Sequence, residues 1–340
     1  MIKDLEAMIN ISQAKVVVTG GAGFIGSELV RHLLDKGAYV IVIDNLVNGK
    51  RENLLGLNTA KFELHSEDIR NTEKMAELLV NIDAVFHLAC LGVRHSIHAP
   101  LENQEVNGTA TLGLLEIARI NGVKRFIYVS SSEVYGTAKV VPMSEEHPAF
   151  PMTVYGASKL AGECYTRAYN STYNFPTVVI RPFNSFGPRC HHEGDSGEVI
   201  PKFLLRCLVG LPMMVFGDGN QTRDFTFVGD TARGILELGL ASESLGKTFN
   251  LGSGREITIN ELGNIIAEIT GCSSRNINYL PSRPGDVLRL YSDCSLARQT
   301  IGFAPQVSMR EGLQILKKWY ADLGLDYEKL LAQESVCNWI

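Results

Sequence analysis

Three glycines, Gly20, Gly23 and Gly26, lie in TGGAGFIG between an apolar run and a stretch of helical periodicity. The run at 15–19 is valine-rich and reads as a strand. Residues 27–36 repeat apolar side chains at helical spacing. A chain that turns this tightly, and then lays a helix back against its strand, leaves little room for side chains in the turn. The helix N-terminus must then face the loop, offering free N–H groups and a positive dipole end to an anion. The strand before and the helix after give the GxxGxxG spacing its meaning.

The same alternation continues through the first half. Val- and Ile-rich runs at 39–44, 62–64, 84–88, 125–129 and 177–181 are largely unbroken by polar residues, as strands covered on both faces should be. Helical patterns at 72–80, 110–121 and 158–172 separate several of them. The expected fold class is α/β, a Rossmann-type doubly wound parallel sheet of about seven strands, the seventh being the run at 248–251. After Arg181, glycines and prolines punctuate shorter elements. We expect residues 14–182, with a returning segment near 226–252, to form one domain. Residues 183–225 and 253–335 should form a smaller α/β domain packed closely on it.

Composition narrows the setting. A net charge of −5 gives no general attraction to nucleic acid or an anionic membrane surface. No apolar run approaches the roughly 20 residues that span a bilayer. Residues 1–13 lack the apolar block of a secretory signal and read as a short extension. The seven cysteines are odd in number, and no pair has CxxC spacing. They suggest neither a disulfide framework nor a zinc site, and the expected location is cytoplasmic.

Asp44 ends the second strand, at the distance from the glycine loop where a carboxylate meets the ribose hydroxyls of a dinucleotide. It would repel a 2′-phosphate, so the expected cofactor is NAD. Downstream, Tyr155 and Lys159 share one helix face in YGASK. A free phenol has a pKa of about 10 and is a poor base at neutral pH. A neighbouring ammonium and an oxidised nicotinamide both favour the phenolate, which can then accept a proton from a sugar hydroxyl. Ser131, just past the 125–129 strand, is in place to hydrogen-bond the same hydroxyl.

The segments TGGAGFIGS, IDNL, EDIR, VFHLAC, NGT, SSSEVYG, YGASK, RPFNSFGP, GDGNQTRDFTFV, NLGSG and RPGD span residues 19–286. In their order and spacing the chain resembles an extended short-chain dehydrogenase/reductase of the nucleotide-sugar epimerase/dehydratase family. The resemblance implies cofactor contacts from Gly20, Gly23, Phe24, Ile25, Gly26, Asp44 and Asn45. It implies others from Asp68 and Ile69 beside the adenine, and from Leu88, Ala89, Asn107, Tyr155 and Lys159. Substrate contacts are implied for Val93, Arg94, Ser131, Asn184, Val215, Arg223, Arg283 and Asp286, with Arg223 and Arg283 on the diphosphate and Asp286 at a ribose. Cys90 replaces the usual alanine, a change expected to leave the site intact.

The implied first step is oxidation at sugar C4. A 4-epimerase then needs only room for the ketose to turn. A 4,6-dehydratase needs a further acid and base directly after Ser131, where this chain has Ser132 and Glu133. A UDP-glucuronate decarboxylase is suggested by 131–136, SSEVYG, which differs from the pattern of that group only at its first residue. LGVRHSIHAP, 91–100, instead resembles the loop of 4-epimerases. Arg94 within it is open between a substrate carboxylate and a surface or phosphate-side position. The favoured expectation is a 4-epimerase acting on a UDP-sugar, with Glu133 keeping the other two reactions in play. An NAD-binding sensor without turnover is the non-enzyme alternative, opposed by the presence of Ser131, Tyr155 and Lys159.

No metal is expected. The cluster His191, His192, Glu193 and Asp195 reads as an inter-domain or substrate-facing loop, and His87 as a packed histidine. The stripe Val106, Ala110, Leu114 and Ile117 fits core packing, although the corresponding helix in the resembled family often pairs subunits, so a homodimer is expected.

Overall fold

The computed structural model describes residues 9–273, 276–283 and 286–337. Most of the short 1–13 extension therefore lies outside the described residues, as do Pro284 and Gly285 of RPGD. The first six strands are β1 (Lys15–Thr19), β2 (Tyr39–Ile43), β3 (Phe62–His65), β4 (Ala84–His87), β5 (Arg125–Val129) and β6 (Thr177–Pro182). They are followed by β7 (Asn184–Phe186), β8 (Met213–Phe216), β9 (Thr222–Phe227), β10 (Thr248–Leu251), β11 (Glu256–Thr258) and β12 (Ile277–Leu280).

Seven of these build one sheet in the order β10-β6-β5-β4-β1-β2-β3. Every neighbouring pair in it is parallel. The valines of β1 show why the run is unbroken. Val16 and Val18 enter the core on one face and Val17 the core on the other. The strand order reverses between β1 and β4, and the loops after these strands open the crevice where such folds bind ligands.

Two glycines make that crevice possible. Gly20 has φ +70°, and a Cβ there would sit 2.7 Å from the Ala89 nitrogen, so the loops after β1 and β4 touch backbone to backbone. A Cβ at Gly26 would come 2.1 Å from the Gly20 carbonyl oxygen. Helix Phe24–Asp35 can therefore start hard against the turn, as the glycine spacing demands.

A second core gathers Ile200, Phe203, Leu204, Met213, Val215, Leu262 and Leu313 under the shorter elements. β7, β9 and β11 form a three-stranded sheet, and β8 pairs with β12. Phe24, at the head of the first helix, also belongs to this core, so the two parts pack without a linker. Val106, Ala110 and Leu114 are buried within the chain's own core, while Leu112 and Ile120 of the same helix stay exposed. No helix among the described residues is long and apolar enough to cross a membrane.

Candidate active site

One cavity of about 640 Å³ runs from the glycine loop to the second core. Every site residue expected from the sequence lines it except Asn107. Asn107 stands behind the wall. Its side chain accepts from Leu91 N at 2.8 Å and donates to Leu91 O, Asn103 Oδ1 and Ser158 Oγ at 2.9–3.2 Å. Its hydrogen bonds to the Leu91 backbone hold the loop after β4. It lies in a π-helical turn, Glu105–Thr109, which departs from the regular helix expected there.

At the nucleotide end, Asp44 is buried and accepts from Ala22 N at 2.9 Å and Leu46 N at 2.8 Å. Burial raises its pKa, and the two backbone donors partly offset that. A Cβ on Gly49 would lie 2.6 Å from an Asp44 carboxylate oxygen, so the chain passes close beside it. Asn45 reaches Asp68 at 3.0 Å, and Arg70 grips Asp68 at 2.8 Å, pulling that carboxyl down to about 2. His87 bridges Thr19 at 2.7 Å and Thr111 at 2.8 Å, and burial lowers its pKa to about 3. It is a packed structural histidine.

At the centre, Tyr155 and Lys159 occupy the first turns of helix Val154–Tyr173, which Thr153 caps through Gly156 N. Lys159 Nζ donates to Val129 O at 2.6 Å and lies 4.7 Å from the Tyr128 ring centroid. Burial lowers its pKa. Burial also raises the Tyr155 phenol well above its ordinary value. Cys90 pushes in the same direction, and a hydrogen bond from Ser131 opposes both. Lys159 is thus engaged by the end of β5.

At the far end, Asp286 Oδ1 joins Arg223 and Arg283, each at 2.9 Å, so the carboxylate expected at a ribose also clamps two guanidinium groups. Arg94 lines the same space and is not a surface residue. Its Nε is buried without a hydrogen-bond partner, and burial followed by Arg283 lowers its pKa to about 10. The Asn184 Oδ1 is likewise buried and unpartnered. Glu133 is held up by burial while Arg223 and Arg283 pull it down.

Two charged residues at this end escaped the sequence reading. Glu198, at the start of helix Val199–Leu208, is raised to about 7 by burial. Lys202, one turn on, is lowered to about 8 by burial and then Arg94, and it donates to Ser335 O at 2.7 Å. Only their burial marks them, and no local pattern announces it. The His191 ring hydrogen-bonds Glu193 Oε1 at 2.9 Å, and Lys50 meets the same oxygen at 2.6 Å.

The arrangement fits NAD across the switch point. Glycines hold the loop open, a carboxylate sits at the end of β2, and a half-buried tyrosine lines the cavity. A cationic end with unfilled donors fits a diphosphate. Comparison with known proteins agrees. Residues 17–316 match the family model described as GDP-mannose 4,6 dehydratase. The UDP-glucose 4-epimerase of Mycolicibacterium smegmatis is 37% identical over 304 residues, 88% of this chain and 96% of its own. The putative UDP-glucose 4-epimerase of Methanocaldococcus jannaschii is 34% identical over 307 residues, 89% of this chain and 97% of its own.

Among solved structures, UDP-glucose 4-epimerase of Thermotoga maritima with UDP-glucose has a TM-score of 0.86 at 34% identity, covering 92% of this chain and 100% of that one. UDP-glucuronic acid 4-epimerase of Bacillus cereus, in complex with UDP-glucuronic acid and NAD, has a TM-score of 0.84 at 33% identity, covering 91% and 99%. The chain belongs to this family, the extended short-chain dehydrogenase/reductases that act on nucleotide sugars. It is an NAD-dependent enzyme of that family.

Proposed function

We propose that the chain is a nucleotide-sugar 4-epimerase acting on a UDP-hexose or UDP-hexuronate through a transient 4-ketose. Bound NAD supplies the acceptor and donor of hydrogen at C4. Tyr155 takes the O4 proton and returns it, and Ser131 orients that hydroxyl. Lys159 braces the phenol's helix against β5. Arg94, Arg223 and Arg283 meet the diphosphate, and Asn184 accepts from a sugar hydroxyl. The proposal keeps the division into a cofactor part, 14–182 with 226–252, and a substrate part, 183–225 with 253–335. It extends to a homodimer in the cytoplasm, with a mass in solution twice that of the chain.

The observation that carries the proposal is the neighbourhood of Ser131. Dehydration needs an acid to expel O6 in addition to a base at C5, and Ser132, fully in the wall at 4% exposure, has no carboxyl. Epimerisation asks nothing of that position. Glu133 together with the unpartnered Arg94 Nε favours a second reading, decarboxylation of a UDP-hexuronate whose carboxylate Arg94 would face.

Separate incubation with UDP-glucose, UDP-N-acetylglucosamine and UDP-glucuronate, read by NMR, tests the choice. Inversion at C4 supports the proposal, loss of carbon dioxide supports the second reading, and loss of water contradicts both. If none of the three sugars reacts or raises the reduced-nicotinamide absorbance, the sensor reading replaces them.

A further inference from the structure

We propose that Cys207 and Cys272 are a paired modification site, two thiols that close to a disulfide when a peroxide oxidises them. Their sulfurs lie 2.7 Å apart, although 65 positions separate them in the chain. Cys207 is the penultimate residue of helix Val199–Leu208. Cys272 follows Gly271, whose left-handed conformation ends helix Ile259–Thr270. The two helices pack against each other, and the thiols meet at their C-terminal ends. Among the described residues no other two cysteine sulfurs approach in this way.

Exposure divides the chemistry between the two. Cys272 is half-exposed, whereas Cys207 is buried at 7%. Burial and the hydrogen bond from Cys272 push the Cys207 thiol up to about 12. The half-exposed Cys272 sulfur is the one a peroxide reaches first, and the buried Cys207 thiol resolves it. The Cys272 sulfur attacks one peroxide oxygen, the O–O bond breaks, and a sulfenic acid forms. The second oxygen leaves as hydroxide and is protonated to water. The Cys207 sulfur then attacks the sulfenic sulfur. The S–S bond forms, the S–O bond breaks, and the Cys207 proton leaves with the hydroxyl as a second water. The two thiols lose two electrons and hydrogen peroxide gains them.

The link would tie together two walls of the ligand cavity. Ile200, Lys202, Phe203 and Arg206 line it from one helix, and Ile259 from the start of the other. Closing a 65-residue loop restricts the unfolded chain.

The test treats the full chain with graded hydrogen peroxide, blocks remaining thiols, digests without reduction and maps linked peptides by mass spectrometry. The expected first product is a Cys207–Cys272 linked peptide, removed by dithiothreitol and accompanied by a Tm rise of about 5 °C. Cys272→Ser, a change at the half-exposed partner, should abolish both signals and leave the reduced enzyme's activity unchanged. Conversion of Cys272 to sulfinic acid without a link, or a link from either residue to another cysteine, overturns the proposal.

Discussion

At the residue scale the proposed chemistry depends on the Tyr155 phenol. Burial favours its protonated form, Cys90 adds to that, and Ser131 opposes them. A Tyr155→Phe variant should keep NAD bound and lose turnover by about 10²–10⁴-fold, the usual contribution of a positioned acid–base group. Cofactor content and kcat measured on one preparation check it, and near-normal kcat removes Tyr155 as the base. The thiol makes a finer test. Activity that requires phenolate rises with pH through the Tyr155 pKa. Cys90→Ala removes an influence that raises this pKa, so the ascending limb of the kcat–pH profile should move to lower pH. A limb that stays in place or moves upward shows that Cys90 does not tune the phenol. Asp44→Ala should weaken NAD more than NADP, because the lost carboxylate is the group that repels a 2′-phosphate; titration of both cofactors measures it.

At the element scale, helix Val154–Tyr173, which carries Tyr155 and Lys159, is pinned to β6 by a buried ion pair. Arg181 Nε and NH2 reach the two Glu163 oxygens at 2.8 and 2.6 Å, and Glu163 is 0% exposed. Burial pushes the Glu163 carboxyl up, but Arg181, Ser130 and Arg167 outweigh it and hold its pKa below the ordinary value. A depressed carboxylate stabilises the fold above its unfolded pKa and loses that contribution as pH falls through the folded one. Arg181→Met, which leaves the carboxylate with Arg167 and Ser130 alone, should cost about 3 kcal/mol at neutral pH and flatten the acid limb of stability. Urea unfolding from pH 7 to pH 3 measures both, and an unchanged acid limb would show that the pair does not govern it.

These elements also show what was legible in advance. Strands covered on both faces appear as unbroken valine and isoleucine runs, so β1, β2, β4, β5 and β6 could be read directly. The glycine loop was legible because a Cβ at Gly20 or Gly26 collides with backbone. The π-turn at Asn107 was not, because it differs from the surrounding helix by one inserted residue. Nor were Glu198, Lys202 and the Cys207–Cys272 contact, since each depends on which helices lie side by side, and local periodicity carries no trace of that.

At the scale of the whole molecule, the cavity joins two chemistries that neither core supplies alone. The sheet's switch point offers a dinucleotide its loop, and the second core brings arginines held by Asp286. Phe24 belongs to the glycine-loop helix and to the second core at once, so the distance between the two ends is set by packing. A substrate anchored by its diphosphate at one end can leave its sugar free to turn beside Tyr155. The most direct test is turnover of a UDP-sugar carrying deuterium at C4. The account predicts product inverted at C4 with the deuterium still on that carbon, because the hydrogen leaves and returns inside one closed site. Inversion with deuterium lost to solvent, or retention of the C4 configuration while the 6-position is altered, would contradict it.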